Sequence, residues 1–174
     1  MNQTRILHAG LHKTASTYLQ RKIFPNLEGL VYIDRLDLAR SSKLTGELND
    51  KLLISSERAC GLPIPVPEFF NISCLLGNIR LFRINKVLLL KRDFNDWCLS
   101  LYFQSLNEGK TWKLDQFIVN HQEELKSWNY APEIILDACK KERIDCRVIR
   151  YEHLRDRHDE IISEICAFLE VPAI

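Results

Sequence analysis

Apolar residues of this chain occur in two patterns, short continuous runs and longer segments in which they recur at helical spacing. The runs predict β-strands, and the recurring positions predict helices that bury one face. The run 86–90, K-V-L-L-L, indicates a strand that is buried on both faces. The predicted strands are 5–9, 30–33, 51–55, 86–90 and 146–151. The predicted helices are 16–25, 68–82, 97–106, 112–125, 132–141 and 158–169, with a helix or mobile segment at 34–48 and a loop at 61–67.

Strands and helices alternate along the sequence, and this order determines the predicted architecture. Such alternation favours an α/β fold with an open parallel sheet flanked by helices on both sides, giving three layers. We expect a single domain over residues 1–174, because no linker, repeat or low-complexity tract interrupts the pattern. Ligands of such sheets bind beyond the carboxyl ends of the strands. The loops at 10–17, 55–58 and 91–96 follow predicted strands, so we expect the functional site there.

The segment 5–20, R-I-L-H-A-G-L-H-K-T-A-S-T-Y-L-Q, predicts a strand, a short loop and the start of a helix. Lys13 lies in that loop, and hydroxyl side chains follow at positions 14, 16 and 17. First-turn N–H groups lack intrahelical partners and the helix dipole favours negative charge, so this arrangement predicts an anion site. The P-loop of nucleoside triphosphatases requires G-x-x-x-x-G-K-[ST]. Only Leu11 and His12 separate Gly10 from Lys13, so the loop is shorter than a P-loop.

The same segment resembles the 5′-phosphosulfate loop of sulfotransferases that use 3′-phosphoadenosine-5′-phosphosulfate (PAPS), whose usual form is G-x-x-K-T-G-T-T-x-L-Q. The matching residues are Gly10, Lys13, Thr14, Thr17, Leu19 and Gln20, with Ser16 as a conservative variant. Ala15 stands where the family has a glycine, at a position associated with a positive φ or a close approach of backbone to phosphate. We therefore expect a loop of slightly altered shape. The resemblance implies a fold like that of P-loop nucleoside-triphosphate hydrolases.

A second stretch, K-V-L-L-L-K-R-D-F-N-D-W-C-L-S-L-Y-F at 86–103, resembles the 3′-phosphate motif of the same family. In that motif a strand ends in Arg, a turn follows, and the next helix carries a Ser and then a Tyr. Arg92, Ser100 and Tyr102 match this pattern. A guanidinium at a strand end offers a fork of donors that suits phosphate. The alternative is that Arg92 forms an ion pair with Asp93 or Asp96 at the edge of the sheet.

Glu57 follows a predicted strand in the stretch L-L-I-S-S-E-R. A glutamate in this place resembles the base of several carbohydrate sulfotransferases, in which the acceptor hydroxyl must lose a proton as it attacks sulfur. A positioned carboxylate or histidine contributes about 10²–10⁴-fold to such a step. The alternative for Glu57 is a salt bridge with Arg58 or Lys13, and His12 and His8 are rival bases. His8 lies inside a predicted strand, which favours a hydrogen-bonded structural role.

Two further segments support the resemblance, R-V-I-R-Y-E-H-L-R-D at 147–156 and F-L-E-V-P at 168–172. Sulfotransferases often carry Tyr-Glu-x-Leu after a strand and a last helix that ends Phe-Leu-Gly-x-Pro. Tyr151, Glu152, Leu154, Phe168, Leu169 and Pro172 match, and we interpret them as packing residues, with Glu170 in place of the glycine. The family commonly adds a basic or glycine-rich loop beyond that helix. Since this sequence stops at Ile174, we expect that other basic residues supply that contact, that donor binding is weaker, or that the gene product is trimmed.

The resemblance implies a sulfotransferase that moves a sulfuryl group from PAPS, as co-substrate, to a hydroxyl or amine of a carbohydrate or lipid-linked acceptor. The implied catalytic residues are Lys13 and Glu57. The implied donor-binding residues are Gly10, His12, Lys13, Thr14, Ala15, Ser16, Thr17, Arg92 and Ser100, and no metal is required. Two other interpretations stay open. One is a PAPS- or nucleotide-binding module without turnover, and the other is a small-molecule kinase of the P-loop class that uses Mg²⁺ and ATP.

Composition narrows the expected partners. The chain has 24 Lys and Arg against 23 Asp and Glu, and this net charge of +1 gives no reason to expect nucleic acid or a membrane surface as partner. The sequence has neither a long apolar stretch nor an apolar leader, so we expect no membrane span and no export signal. None of the six cysteines forms a C-x-x-C pair. We therefore expect reduced structural thiols and a cytoplasmic protein. The resemblance implies a small-molecule or glycan acceptor, and the oligomeric state stays open.

Overall fold

A parallel sheet of five strands forms the centre of the computed structural model, which describes residues 3–35, 51–61 and 67–173. The strands are β1 Thr4–His8, β2 Val31–Asp34, β3 Lys51–Ser55, β4 Lys86–Lys91 and β5 Asp145–Arg150. Their order across the sheet is β2-β3-β1-β4-β5, and every neighbouring pair is parallel. The predicted parallel α/β architecture is therefore confirmed.

The helices of the described ranges follow the strands as the sequence predicts. A helical segment after β1 begins with α1 Ser16–Tyr18 and continues through a π-helical turn, Leu19–Ile23, and a 3₁₀ turn, Phe24–Asn26. The remaining helices are α2 Ile72–Phe82, α3 Phe94–Asn107, α4 Leu114–Asn120, α5 Gln122–Asn129, α6 Ala131–Lys141, α7 Tyr151–Asp156 and α8 His158–Leu169. None of the helices described is long and apolar enough to cross a membrane.

The sheet separates two hydrophobic cores, which gives the three predicted layers. One core contains Leu7 of β1 and Leu89 of β4 and is covered by α2 to α6. The other contains Ile6 and Leu88 from the opposite faces of the same strands and is covered by the α1 segment, α7 and α8. Successive side chains of a strand point to opposite faces, so a strand buried on both sides needs an unbroken apolar run. The run in β4 meets that requirement, since residues 87–90 are fully buried.

Two helices begin at different residues from those predicted, because capping side chains set their first turns. The predicted helix 97–106 begins at Phe94, since the Asp93 carboxylate accepts hydrogen bonds from the N–H groups of Asn95 and Asp96. The predicted helix 68–82 begins only at Ile72, where the Asn71 side chain accepts from the N–H of Cys74. Apolar periodicity does not report caps, which depend on a single polar side chain.

Other predicted boundaries need correction. The predicted helix 112–125 is two helices, α4 and α5, which meet at His121. The predicted strand 146–151 begins at Asp145 and ends at Arg150, and Tyr151 begins α7. Pro25 does not stop the first helical segment, because it lies in the 3₁₀ turn that closes it. Most of the segment 34–48 and residues 62–66 of the predicted loop 61–67 lie outside the described residues.

All six cysteines lie in the described part of the chain, and all are free thiols. Cys60, Cys98, Cys139 and Cys166 are buried, Cys146 is half-buried and Cys74 is exposed. Burial raises the pKa of the Cys60 thiol well above its ordinary value. A buried thiol of this kind serves as a small apolar core residue, in agreement with the structural role predicted for most of the cysteines.

Candidate active site

The sheet topology opens a crevice between β1 and β4. The helical segment that follows β1 packs on one face of the sheet, whereas α3, which follows β4, packs on the other. A crevice forms at such a switch point because the two chain connections diverge beyond the carboxyl ends of the strands. A cleft of about 480 Å³ lies there. Its lining residues are His12, Lys13, Ala15, Ser16, Thr17, Glu57, Arg92, Ser100, Gln104 and Tyr151.

The loop between β1 and α1 turns through two left-handed residues. Lys13 has a φ of 65° and Ala15 a φ of 69°. Ala15, which replaces the glycine of the family motif, therefore has a positive φ. Lys13 also has a positive φ, which the sequence did not indicate. The backbone N–H groups of Lys13 and of residues 15–17 donate no hydrogen bond to any other described residue. A turn with left-handed residues directs successive N–H groups into a concavity, a geometry that suits an anion.

Gly10 is required by close packing beneath this loop. A Cβ atom at Gly10 would lie 2.2 Å from Ser16 Oγ, 2.9 Å from Ser16 Cβ and 3.3 Å from Glu57 Cγ. The first two separations are shorter than real Cβ contacts. The absence of a side chain at Gly10 therefore lets the α1 N-terminus and the β3 loop approach each other, which brings Ser16 and Glu57 to the same cleft.

The three hydroxyl groups of the loop have different surroundings. Ser16 Oγ is buried in the cleft wall without a hydrogen-bond partner among the described residues, and Thr17 is exposed at the cleft. Thr14 turns away from the cleft, because its buried hydroxyl donates to the carbonyl oxygen of Leu11. Ser16 and Thr17 are thus placed to meet a ligand in the cleft, whereas the Thr14 side chain stabilises the turn.

Lys13 is held at both its backbone and its side chain. Arg92 Nη1 donates to the Lys13 carbonyl oxygen at 3.3 Å, and Lys13 Nζ donates to Gln104 Oε1 at 3.1 Å. Trp97 Nε1 donates to the carbonyl of the preceding residue, His12, at 2.8 Å. These contacts join the β1 loop to Arg92 and to α3, so the loop is fastened to the element that follows β4.

Arg92 lies at the end of β4 and points into the cleft. Its guanidinium carbon lies 4.6 Å from the centre of the Tyr151 ring, a cation–π contact that orients the guanidinium plane. Arg92 Nε is buried without a partner among the described residues. Asp93 caps α3, and no ion pair of the described residues includes Arg92. The geometry therefore does not support the alternative of an edge ion pair.

Glu57 and His12 face each other across the cleft floor, with Glu57 Oε2 at 3.5 Å from His12 Nδ1. Burial raises the pKa of Glu57, an effect that Lys13 opposes and Asp34 reinforces. Burial, followed by the charges of Arg58 and Lys13, lowers the pKa of His12 to about 4. His12 is therefore neutral at pH 7, and its buried Nε2 has no partner among the described residues. The alternative for Glu57, a salt bridge with Arg58 or Lys13, is not formed among the described residues.

His8, the other rival base, is not among the residues that line the cleft. It is fully buried, and its Nδ1 lies within hydrogen-bond distance of Ser55 Oγ, at 2.7 Å. Ser55 Oγ accepts a hydrogen bond from Gln20 Nε2 at 2.9 Å. Its ring packs edge-on against Phe24 at a centroid distance of 5.1 Å. Burial lowers the pKa of His8 to about 3. These contacts fit the structural role that its position inside a strand predicts.

Two residues of the cleft were not predicted as site residues. Gln104 lies one turn after Ser100 on α3, a spacing that places both on the same helical face. Tyr151, interpreted from sequence as a packing residue, instead lines the cleft beside Arg92. Its position directly after β5, at the carboxyl edge of the sheet, is the signal that identifies it. Among the described residues, no group of three or more His, Cys, Asp or Glu is arranged to hold a metal ion.

The sheet topology and the cleft place the chain in the class of parallel α/β proteins with a ligand crevice at the strand ends. Comparison with solved structures then shows which fold of that class it has. The chain is similar to a sulfotransferase from Alicyclobacillus acidocaldarius, with a TM-score of 0.67 and 15% sequence identity over 99% of this chain and 83% of that one. It is also similar to a mouse sulfotransferase complexed with PAP, with a TM-score of 0.62 and 14% identity over 99% of this chain. The protein therefore has the sulfotransferase fold.

The similarity is one of structure alone. No protein-family model matches the chain, and no curated protein matches its sequence. The chain covers 59% of the length of the mouse sulfotransferase. Identities of 14 and 15% establish the shared fold. Activity has to be argued from the cleft itself, because one fold can support many chemistries.

Proposed function

We propose that this protein is a PAPS-dependent sulfotransferase that moves a sulfuryl group to a hydroxyl or amine acceptor. The observation that carries the proposal is the composition of one cleft. Two cations, Lys13 and Arg92, and one carboxylate, Glu57, line it together with unpaired loop N–H groups. Buried polar atoms of His12, Ser16 and Arg92 lack partners among the described residues, which is costly unless a polar ligand pairs with them.

The cleft has a separate group of donors for each phosphate of the donor nucleotide. The N–H groups of Lys13 and of residues 15–17, with the hydroxyls of Ser16 and Thr17, suit the 5′-phosphate. Arg92 and Ser100 suit the 3′-phosphate, because a planar guanidinium and a hydroxyl can donate to neighbouring oxygens of one phosphate. The fit of two cations to a bisphosphate supports the proposal.

Lys13 and Glu57 have opposite tasks in the proposed transfer. PAPS supplies an activated sulfuryl group on its 5′-phosphate. Lys13 stabilises the negative charge that develops on the bridging oxygen as the oxygen–sulfur bond breaks. Glu57 accepts the proton of the acceptor hydroxyl or amine as the new bond to sulfur forms, and its raised pKa favours this role. His12 Nδ1 lies 3.5 Å from the Glu57 carboxylate. The residues act by positioning and charge stabilisation, without a covalent intermediate on the protein.

The mouse sulfotransferase of similar fold is complexed with PAP, the desulfated product of the donor, which supports the choice of PAPS. A carbohydrate or lipid-linked acceptor and a cytoplasmic location stay predictions from the sequence. The kinase interpretation is less favoured, because the loop is shorter than a P-loop.

The proposal is tested by thermal unfolding with 3′,5′-ADP, which is PAP, in the presence of EDTA. A ligand at 100 times its Kd adds about 2.7 kcal/mol of stability, which in a domain of this size raises Tm by roughly 5–11 °C. We expect this rise in the wild type, a smaller rise in Lys13→Ala, and an unchanged rise in the control Lys22→Ala, which alters an exposed lysine. Absence of a rise with millimolar ligand would contradict donor binding. A rise only with ATP and Mg²⁺ would favour a kinase.

A further inference from the structure

Lys13 is restrained before any ligand binds. Its carbonyl oxygen accepts from Arg92 Nη1 at 3.3 Å, and its ammonium donates to Gln104 Oε1 at 3.1 Å. A lysine in a solvated cleft otherwise samples many rotamers, because its side chain is long and flexible. The contact with Gln104 selects those rotamers in which the ammonium lies on the α3 side of the cleft.

Glu108 determines which end of the Gln104 amide meets Lys13. Gln104 Nε2 donates to Glu108 Oε1 at 2.7 Å. An ionised carboxylate only accepts hydrogen bonds, so it binds the NH₂ end of the amide and leaves the carbonyl oxygen for the ammonium. Glu108 therefore fixes the amide orientation that Lys13 needs, and the three side chains form a directed chain from Glu108 to Lys13.

Gln104 lies on the same face of α3 as Ser100, one helical turn further along. Arg92 lies two residues before that helix begins. Helix α3 and the residues just before it thus carry the groups proposed for the 3′-phosphate. Through Gln104, the same helix also contacts Lys13, the lysine proposed for the 5′ end of the donor. The two halves of the cleft are joined through α3.

We infer that Gln104, oriented by Glu108, is a positioning residue that holds the Lys13 ammonium ready for the 5′ end of the bound nucleotide. The inference rests on the proposed function and adds a role that the family motif does not assign to Gln104. Restricting a flexible side chain before binding strengthens binding, because less conformational freedom is then lost in the complex. The benefit applies only to ligands that carry a 5′-phosphate.

The test compares two nucleotides by isothermal titration in EDTA: 3′,5′-ADP, which has both phosphates, and 3′-AMP, which lacks the 5′-phosphate. In Gln104→Met the hydrogen-bond acceptor is lost while side-chain length is kept. We expect its affinity for 3′,5′-ADP to fall about threefold to tenfold, with its affinity for 3′-AMP unchanged. A structural defect in α3 would instead weaken both nucleotides. We expect Glu108→Gln to change the 3′,5′-ADP affinity in the same direction but by less.

A double-mutant cycle and a matched control complete the test. In the Lys13→Ala background, Gln104→Met is expected to have no further effect on 3′,5′-ADP affinity, since the positioned group is gone. Asn107→Ala, at an exposed position on the same helix, is expected to bind both nucleotides as the wild type does. An unchanged affinity ratio in Gln104→Met, or a full effect in the Lys13→Ala background, would overturn the inference alone. Failure of the wild type to bind 3′,5′-ADP would overturn the proposed function and this inference with it.

Discussion

Two residues with side chains hold left-handed backbone conformations in the loop after β1. Lys13 has a φ of 65° and Ala15 a φ of 69°. A left-handed conformation costs an L-residue other than glycine roughly 1–2 kcal/mol. Such strain persists where surrounding contacts determine the conformation, often at ligand sites. Here the contacts include the hydrogen bond from Arg92 to the Lys13 carbonyl and the close approach of Ser16 to Gly10. Ala15 therefore keeps the turn that a glycine would form.

Ala15→Gly tests whether the loop is strained but intact. We expect the free energy of unfolding to rise by up to about 1 kcal/mol, because relief of the positive φ exceeds the entropy that glycine adds to the unfolded chain. The affinity for 3′,5′-ADP should not fall. The control is Ala167→Gly, at an exposed position inside α8, which should lose about 1 kcal/mol. Urea denaturation measures both variants, and a loss in Ala15→Gly as large as that in Ala167→Gly would contradict the account.

Glu57 illustrates a conflict between stability and function at one residue. Burial raises the pKa of Glu57, so the folded state favours the protonated form. As pH falls toward the pKa of the unfolded chain, the folded state therefore binds more protons at this residue than the unfolded state does. At pH 7 the buried, ionised carboxylate lowers the free energy of unfolding.

Glu57→Gln is accordingly expected to be at least as stable as the wild type in urea at pH 7, while sulfuryl transfer falls by about 10²–10⁴-fold. The stability difference in favour of the variant should decrease as pH falls and the wild-type carboxyl becomes protonated. Glu28→Gln, at an exposed position, is the matched control and should change neither quantity. A Glu57→Gln protein that is clearly less stable but fully active would exclude Glu57 as the base.

The sequence predicted most of the cleft because the relevant residues lie in short motifs next to strand ends. The residues His12, Lys13, Ala15, Ser16, Thr17, Glu57, Arg92 and Ser100 all line it. The direction of the Thr14 hydroxyl was not predictable, since it depends on the turn that lets it reach the Leu11 carbonyl. Gln104 and Tyr151 were missed because their roles arise from contacts with Lys13 and Arg92 across the fold.

At the scale of single elements, the end of α8 shows how another glycine is replaced. Glu170 has a left-handed backbone with a φ of 58°, at the position where the sulfotransferase motif has glycine. Lys86 Nζ donates to Glu170 Oε1 at 2.6 Å and to the Phe168 carbonyl at 3.0 Å, and Lys51 Nζ donates to the Glu170 carbonyl. The lysines thus satisfy carbonyl groups that the helix end leaves unpaired, and cations are also favoured there by the helix dipole.

Substitutions at Glu170 separate the ion pair from the backbone conformation. Glu170→Ala loses the ion pair and keeps the positive φ, so we expect a loss of roughly 1 kcal/mol. Glu170→Gly loses the same ion pair but relieves the positive φ, so we expect a change near zero. The two variants should differ by about 1 kcal/mol in urea denaturation. Equal stabilities would show that the left-handed conformation imposes no cost at this helix end.

Element types were predictable from the sequence, whereas several boundaries were not. Apolar runs and helical periodicity identified every strand of the described ranges and every helix except the short α7, but α4 and α5 were predicted as one helix. The starts of α2 and α3 depend on the side chains of Asn71 and Asp93, which periodicity does not weigh. The break between α4 and α5 occurs at His121, whose ring packs against Trp112 and Phe117. That contact is tertiary, so the local pattern could not reveal it.

The stability of the whole molecule in acid depends on two buried, neutral histidines near the carboxyl ends of β1 and β3. Burial lowers the pKa of His8 to about 3 and that of His12 to about 4, below the ordinary value near 6.5. Below pH 6.5 the unfolded chain binds protons at these residues and the folded chain does not. Stability should therefore fall as pH falls from about 6.5 toward these values, by up to about 1.4 kcal/mol per pH unit for each histidine.

Urea unfolding at pH 7, 6 and 5 measures this dependence. We expect His8→Gln to be less stable than the wild type at pH 7 but to lose less stability on acidification, since one buried group no longer titrates. His153→Gln, at an exposed position, should keep the wild-type dependence. If His8→Gln and the wild type lost the same free energy between pH 7 and 5, protonation of His8 would not contribute to acid unfolding.

Transfer of radioactive sulfur from labelled PAPS, in EDTA, to a panel of carbohydrate, lipid-linked and amine acceptors distinguishes a sulfotransferase from a protein that only binds the nucleotide. We expect label in at least one acceptor, release of an equal amount of 3′,5′-ADP, and loss of both in Lys13→Ala. Binding of 3′,5′-ADP without release of label to any acceptor or to water would contradict a transferase and favour a nucleotide-binding module. Transfer that is equally fast in Lys13→Ala would show that the cleft described above is not the active site.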